Sequence, residues 1–228
     1  MKKSIGKLLL NIPGVHTLAE KIYLSRFPGS AWYWEQRYRK GGNSGGGSYS
    51  NLANFKAEFL NRFVKEHHLH SVIEFGCGDG NQLSLAQYPQ YLGLDVSPTI
   101  IRHCMRQFSG DKTKSFYVYD SLSFCDHAGL FQADLTLSLD VIYHLLEDEI
   151  FEAYMHQLFK AGKQYVIIYS SNYDTPKTYH ERDRKFTDWV EKNITGWKLI
   201  ETVPNPFPPI PGQGLSTSKA DFFIYGRG

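Results

Sequence analysis

The chain reads as an α/β protein built on a mostly parallel sheet with helices on both faces. Three observations predict this. Apolar runs of strand length alternate with stretches of helical spacing between residues 71 and 170. Those runs are continuously apolar rather than alternating, the pattern of strands buried on both faces. The last two runs are joined by proline-rich NPFPPIPGQG, residues 205–214, instead of a helix, which suits an antiparallel hairpin ending.

Taken in order, the elements begin with Lys2 and Lys3, followed by an apolar patch at residues 8–12 that Pro13 and Gly14 interrupt. It is too short to span a bilayer and is not a signal peptide. Ile5, Leu8, Leu9 and Ile12 recur at helical spacing, as do Leu18, Ala19 and Ile22. Two readings fit: a helix packed on the domain or on a partner, and a membrane-surface helix carrying Lys2, Lys3 and Lys7. Aromatic-rich SAWYWEQRY, residues 30–38, leads into GGNSGGGS, residues 41–48, whose glycines predict a mobile hinge. Leu52, Phe55, Phe59, Leu60 and Phe63 then mark a helix up to Val64. Strands are expected at 71–77, 91–96, 115–119, 133–139, 164–170, 197–203 and 220–225, and helices at 82–86, 99–108 and 148–160. This divides the chain into a helical and aromatic segment with the glycine hinge, residues 1–50, and a main domain, residues 51–228.

Composition narrows the function classes. The formal charge of +2 gives no electrostatic case for nucleic acid, so no such partner is expected. The 3 cysteines include no CxxC pair and the histidines lack paired spacing, so neither a disulfide framework nor a metal site is expected. A reducing cytoplasm is the simplest location.

The chemistry concentrates in VIEFGCGDGNQL, residues 72–83, and YLGLDVS, residues 91–97. An apolar run ends at Glu74, a glycine-rich turn follows, and about 20 residues later a second run ends at Asp95. Gly76, Gly78 and Gly80 clear side chains from where a ligand passes the backbone. Asp95 can accept both hydroxyl protons of a ribose, and Asp120, closing SFYVYD, can receive an adenine amino group. The turn is GxGxG rather than the GxGxxG that seats a dinucleotide pyrophosphate.

EFGCGDG with Asp95 and Asp120 at successive strand ends resembles the class I S-adenosylmethionine-dependent methyltransferases, over roughly residues 30–227. The resemblance implies a Rossmann-like, seven-stranded sheet with a C-terminal antiparallel hairpin, and S-adenosylmethionine as cofactor. It implies that Glu74, Gly76, Cys77, Gly78, Gly80, Asn81 and Gln82 surround the methionine portion, that Asp95, Val96 and Ser97 hold the ribose, and that Asp120 and Ser121 hold the adenine. Cys77 would be read through its backbone; a nucleophilic cysteine is the alternative, but no partner histidine for it is indicated nearby in sequence.

More closely, residues 30–64 followed by SVIEFGCGDGNQLSLAQYP resemble small bacterial methyltransferases of capsule, lipopolysaccharide and related surface-glycan synthesis. That implies O-methylation of a sugar, a glycan end or a linked phosphate, with peripheral membrane or glycan-assembly contacts through the N-terminus. The alternatives are another small metabolite as acceptor, or a non-catalytic cofactor-binding scaffold. Trp34, Arg37 and Tyr38 would form a cover, with Ser48 beyond the hinge and Arg37 forked onto the methionine carboxylate; core aromatics and a surface arginine are the plainer reading.

By the same resemblance the end of the fourth strand, with Asp140, Tyr143 and His144, faces the reacting methyl. A neutral His144 can act as general base toward a hydroxyl, or simply pack. Glu147, Asp148 and Glu149 read as the charged first turn of the next helix. After the fifth strand, Asn172, Tyr173, His180, Arg182 and Arg184 are the acceptor candidates, the arginines suited to a phosphate or carboxylate. A solvated helix start balanced by Glu181 and Asp183 is the competing reading.

Overall fold

The computed structural model describes residues 27–210 and 216–228. The helical spacing at Ile5, Leu8, Leu9, Ile12, Leu18, Ala19 and Ile22, and its membrane reading, lie outside the described residues.

The described chain starts with helix α1, Ser30–Arg39, a short 3₁₀ turn at Gly46–Ser48, and helix α2, Ser50–Glu66. Strand β1, Ser71–Phe75, strand β2, Gln90–Asp95, helix α3, Pro98–Gln107, and strand β3, Lys114–Val118, follow. Strand β4, Ala133–Leu139, then leads through a 3₁₀ turn at Ile142–His144 into helix α4, Asp148–Ala161, and strand β5, Gly162–Ser170. Helix α5, Phe186–Asn193, strand β6, Trp197–Val203, and strand β7, Asp221–Arg227, complete it.

The sheet has 7 strands in the order β3-β2-β1-β4-β5-β7-β6. All neighbours from β3 to β5 are parallel, and β7 runs antiparallel between β5 and β6. The expected seven-stranded sheet with a C-terminal antiparallel hairpin is therefore present. Strand order reverses between β1 and β4, and the crevice beyond their carboxyl ends is where such sheets take ligands.

The continuous apolar runs have the expected cause. Along β5, Ile167 and Tyr169 join Leu60, Phe63 and Phe222 in the core under α2. Val166 and Ile168 join Phe151, Met155 and Leu158 in the core under α4. Both faces exclude water, so no position can be polar by alternation.

Beyond shifts of one or two residues at other element ends, three places differ from expectation. Residues 82–86 form only a 3₁₀ turn, Leu83–Leu85, because the chain enters it directly from the glycine loop. The first strand stops at Phe75, since Gly76 takes φ 86° and leaves the strand. Helix α5 had no counterpart among the expected helices: it buries just Phe186 and Val190, too few apolar positions for periodicity to show.

Candidate functional site

Gly76, Gly78 and Gly80 all have positive φ, at 86°, 58° and 76°. At all three space is tight as well. A Cβ on Gly76 would lie 2.5 Å from Val141 Cγ2, one on Gly78 2.3 Å from Ser44 Oγ, and one on Gly80 2.8 Å from Phe108 Cε2. The loop therefore presents bare backbone toward the crevice.

Two buried carboxylates stand behind it. Asp95 accepts the Gly78 amide at 3.0 Å and the Ser97 amide at 2.9 Å, tying the glycine loop to the end of β2. Burial outweighs these amides and raises its pKa to about 6. Glu74 accepts the Tyr91 hydroxyl at 2.7 Å. Burial raises it to about 7, against the opposing effects of that hydroxyl and of Lys56. Asp120, by contrast, is exposed at the end of β3 and caps the amide of Leu122 at 3.0 Å.

Helix α1 and the glycine-rich stretch pack against the sheet edge through contacts other than those expected. Ser30 in α1 donates its amide and its hydroxyl to Glu147, at 2.8 and 2.6 Å, which docks α1 onto the chain after β4. Asp148 and Glu149 form the acidic first turn of α4. Glu35 accepts hydroxyls from Ser97 and Thr99, holding α1 against the start of α3. The glycine-rich stretch is docked rather than loose. The Ser44 amide donates to Asp79 at 2.8 Å, the Asp79 amide donates to Ser44 Oγ at 2.8 Å, and Asn81 donates to the Ser48 carbonyl at 2.6 Å.

Together these elements wall a cleft of about 950 Å³, counting the part open to solvent. Glu74, Gly76, Cys77, Gly78, Gln82, Asp95, Val96, Asp120, Ser121 and Asp140 line it, with Trp34, Tyr38 and Ser48 of the cover. Other expected contacts do not. Gly80 packs beneath Phe108, Asn81 bonds to the cover, and Ser97 is fully buried as the cap of α3. Arg37 lines a second cavity instead; its guanidinium binds the Asn43 carbonyl at 2.7 Å and lies 5.5 Å from the Trp34 ring centre. The fork from Arg37 to a cofactor carboxylate is thus not the arrangement present. Cys77 has its thiol pushed well up by neighbouring Cys104 and by burial, the opposite of an activated nucleophile.

The cleft fits S-adenosylmethionine on a specific ground. Gln82 donates Nε2 to the Ala53 carbonyl at 3.1 Å, but its buried Oε1 has no partner. A buried acceptor left unmatched beside a cleft is the complement of a ligand donor such as an ammonium group.

The second cavity, about 870 Å³, adjoins the first: Trp34, Ser44, Asp140 and His144 line both. Tyr143, His180, Glu181 and Lys219 complete much of its polar wall. Tyr143 donates its hydroxyl to Asp140 at 2.9 Å. His144 Nδ1 lies 2.9 Å from the His180 carbonyl. A carbonyl can only accept, so in neutral His144 the proton sits on Nδ1 and Nε2 keeps a lone pair. Desolvation lowers the His144 pKa to about 4, so the ring stays neutral well into acid pH.

The remaining acceptor candidates are drawn elsewhere. Arg182 and Arg184 both pair with Asp148, at 2.7 and 3.1 Å, and Arg184 also holds the Leu145 carbonyl; neither lines a cavity. Asn172 is consumed by Thr187 at the start of α5, and exposed Tyr173 lines neither cavity. The short-range charge cluster in the sequence is a fold-stabilising network.

Sequence reasoning overlooked Lys56, which lines the cleft with its ammonium 2.6 Å from Asp140. A signal was available: Lys56 lies midway between Leu52 and Leu60 at four-residue steps, on the buried stripe of α2. Ser44, Asp79 and Glu35 were overlooked as well, because their partners are remote in sequence.

No family model matches the chain. It is 25% identical over 177 residues to a small RNA 2′-O-methyltransferase of Arabidopsis thaliana, a match covering 64% of this chain. The chain spans 19% of that relative's length. Among solved structures, the methyltransferase domain of bacterial CtHen1-C has a TM-score of 0.57 and 21% identity, with 76% of this chain and 97% of that one covered. The N-methyltransferase NodS from Bradyrhizobium japonicum WM9 has a TM-score of 0.59 and 14% identity, covering 78% and 98%. Magnesium protoporphyrin IX methyltransferase from Synechocystis PCC 6803, with bound SAH, has a TM-score of 0.59 and 13% identity, covering 93% and 100%. These likenesses establish the Rossmann-like fold that such methyltransferases share. An RNA methyltransferase among them leaves the expectation of no nucleic-acid partner, drawn from net charge, without support.

Proposed function

We propose that the chain is an S-adenosylmethionine-dependent methyltransferase that O-methylates a sugar hydroxyl, on a glycan end or another intermediate of surface-polysaccharide synthesis. The observation that carries the reading is the position of His144, on the wall shared by the two cavities with Nδ1 fixed by a carbonyl. Bound S-adenosylmethionine supplies an electrophilic methyl on a sulfonium. Transfer would break the methyl–sulfur bond and leave S-adenosylhomocysteine, and His144 Nε2 would take the proton of the acceptor hydroxyl. Tyr143, its hydroxyl held by Asp140, orients that acceptor from the same wall. A phosphate acceptor held by Arg182 and Arg184 loses its support, since neither arginine lines either of the two cavities.

The Arabidopsis relative favours a second reading within the same chemistry, in which the hydroxyl belongs to an RNA ribose. In both readings residues 1–50 act as cofactor cover and residues 51–228 as the transferase domain, in the cytoplasm. No helix among the described residues is long and apolar enough to cross a membrane.

Calorimetry with S-adenosylhomocysteine and with NAD tests the cofactor: binding of the first and not the second is expected, and the reverse rejects the reading. Mass detection of methyl transfer to nucleotide sugars, oligosaccharides and short RNAs then separates the acceptors.

A further inference from the structure

Lys56 is the most deeply placed cation at the cleft. Its side chain is 1% exposed, its ammonium is 2.6 Å from Asp140 Oδ2, and it lies 5.2 Å from the Tyr169 ring centre. Gln82, whose buried Oε1 has no hydrogen-bond partner, lines the same cleft. The lining therefore includes a cation, a carboxylate and a buried neutral acceptor. The chemical complement of that set is a zwitterion, an α-amino acid end: its carboxylate meets Lys56, and its ammonium meets Asp140 and Gln82. Among the described residues no other Lys or Arg lines the cleft. Arg37, the residue expected in this role, lines the second cavity.

We infer that Lys56 is the specificity-determining residue that reads the carboxylate of the amino-acid end of the cofactor. The inference rests on the S-adenosylmethionine reading above. It makes a distinction within ligands that share the nucleoside and the thioether. A ligand with the carboxylate satisfies Lys56; one without it leaves an ammonium paired only with Asp140 and leaves nothing to replace the solvent it displaces.

The test is a cycle between a protein group and a ligand group. Calorimetry measures S-adenosylhomocysteine, its decarboxylated analogue and methylthioadenosine against wild type, Lys56→Gln, and Lys56→Gln/Asp140→Asn. The double variant removes both charges, so it keeps the site folded if the single variant leaves Asp140 buried and unpaired. Wild type is expected to prefer S-adenosylhomocysteine over the decarboxylated analogue by about 10- to 100-fold, the range of a charge-assisted bond. Both variants are expected to lose most of that preference and to bind methylthioadenosine within about 3-fold of wild type, a span of less than one typical hydrogen bond. A preference retained in a folded variant overturns the role of Lys56. Equal loss for all three ligands also overturns it, since that is a general collapse of the cleft. Wild type that binds none of the three rejects the cofactor reading itself.

Discussion

Ser44 and Asp79 are bonded to each other twice, each backbone amide donating 2.8 Å to the other residue's side-chain oxygen. Asp79 accepts the Tyr49 hydroxyl as well, at 2.9 Å, and the Asn81 amide at 3.1 Å. One side chain thus clamps the glycine-rich stretch onto the glycine loop of the cleft.

Asp79→Ala removes three acceptor contacts at once, at a cost of about 1–3 kcal/mol. Amide exchange across residues 41–48 should then accelerate by at least about 10-fold, the factor that 1.4 kcal/mol represents. Wild-type exchange in this stretch should be slow even without ligand. Equal rates in the folded variant and in wild type would show that the clamp does not hold the segment.

Cofactor affinity should depend on the ionisation of Asp95. With its pKa raised to about 6, it is substantially protonated in the empty protein at pH 5 and ionised at pH 7. A carboxylate that must accept ribose hydroxyls binds best ionised. Affinity for S-adenosylhomocysteine should therefore rise with pH through about 6, with proton release on binding below that value. Calorimetry in two buffers of different ionisation enthalpy reads the release. Asp95→Asn should weaken binding by roughly 10-fold or more and flatten this pH dependence; unchanged affinity would remove Asp95 from the ribose role.

Glu74 and His144 should pull stability in opposite directions with pH. Glu74 has its folded pKa raised to about 7, above its unfolded value, so the native state holds the extra proton. Its contribution is present at low pH and is lost as pH rises toward about 7, by about 3 kcal/mol at most. His144 has its folded pKa lowered to about 4, so stability is lost as pH falls from the ordinary histidine value toward 4. Denaturant titrations of Glu74→Gln and wild type, from pH 4 to pH 8, should show the variant gaining relative stability as pH rises. A gap independent of pH would mean that Glu74 stays ionised throughout.

His144→Ala should lower methyl transfer to a hydroxyl acceptor by at least about 10²-fold, with S-adenosylhomocysteine affinity within a few-fold of wild type. Because desolvation places its pKa near 4, the acid limb of the wild-type rate should lie near pH 4, below the usual histidine range. Full turnover by the folded variant, with the limb unmoved, would exclude His144 as the base.

Much of this molecule was legible in one dimension. Strands such as 133–139 announce themselves because burial on both faces forces unbroken apolar runs. The cofactor loop was legible because Gly76 and Gly78 answer a local demand, a positive φ and bare backbone, that only glycine meets at this cost. The C-terminal hairpin followed from the absence of a crossover helix between β6 and β7.

What the sequence left open is what depends on partners far along the chain. Arg182 and Arg184 look like an anion site as neighbours, and only the docking of their loop on Asp148 neutralises them. Arg37 and Lys56 part company for the same reason: packing of α1 and α2 on the sheet edge sets Lys56 at the cleft and Arg37 at the second cavity. His144 is a histidine in any reading, but its tautomer and its low pKa come from the His180 carbonyl and the surrounding desolvation. Local backbone demands and apolar periodicity are written residue by residue, whereas charge pairing and desolvation exist only once the chain has closed on itself.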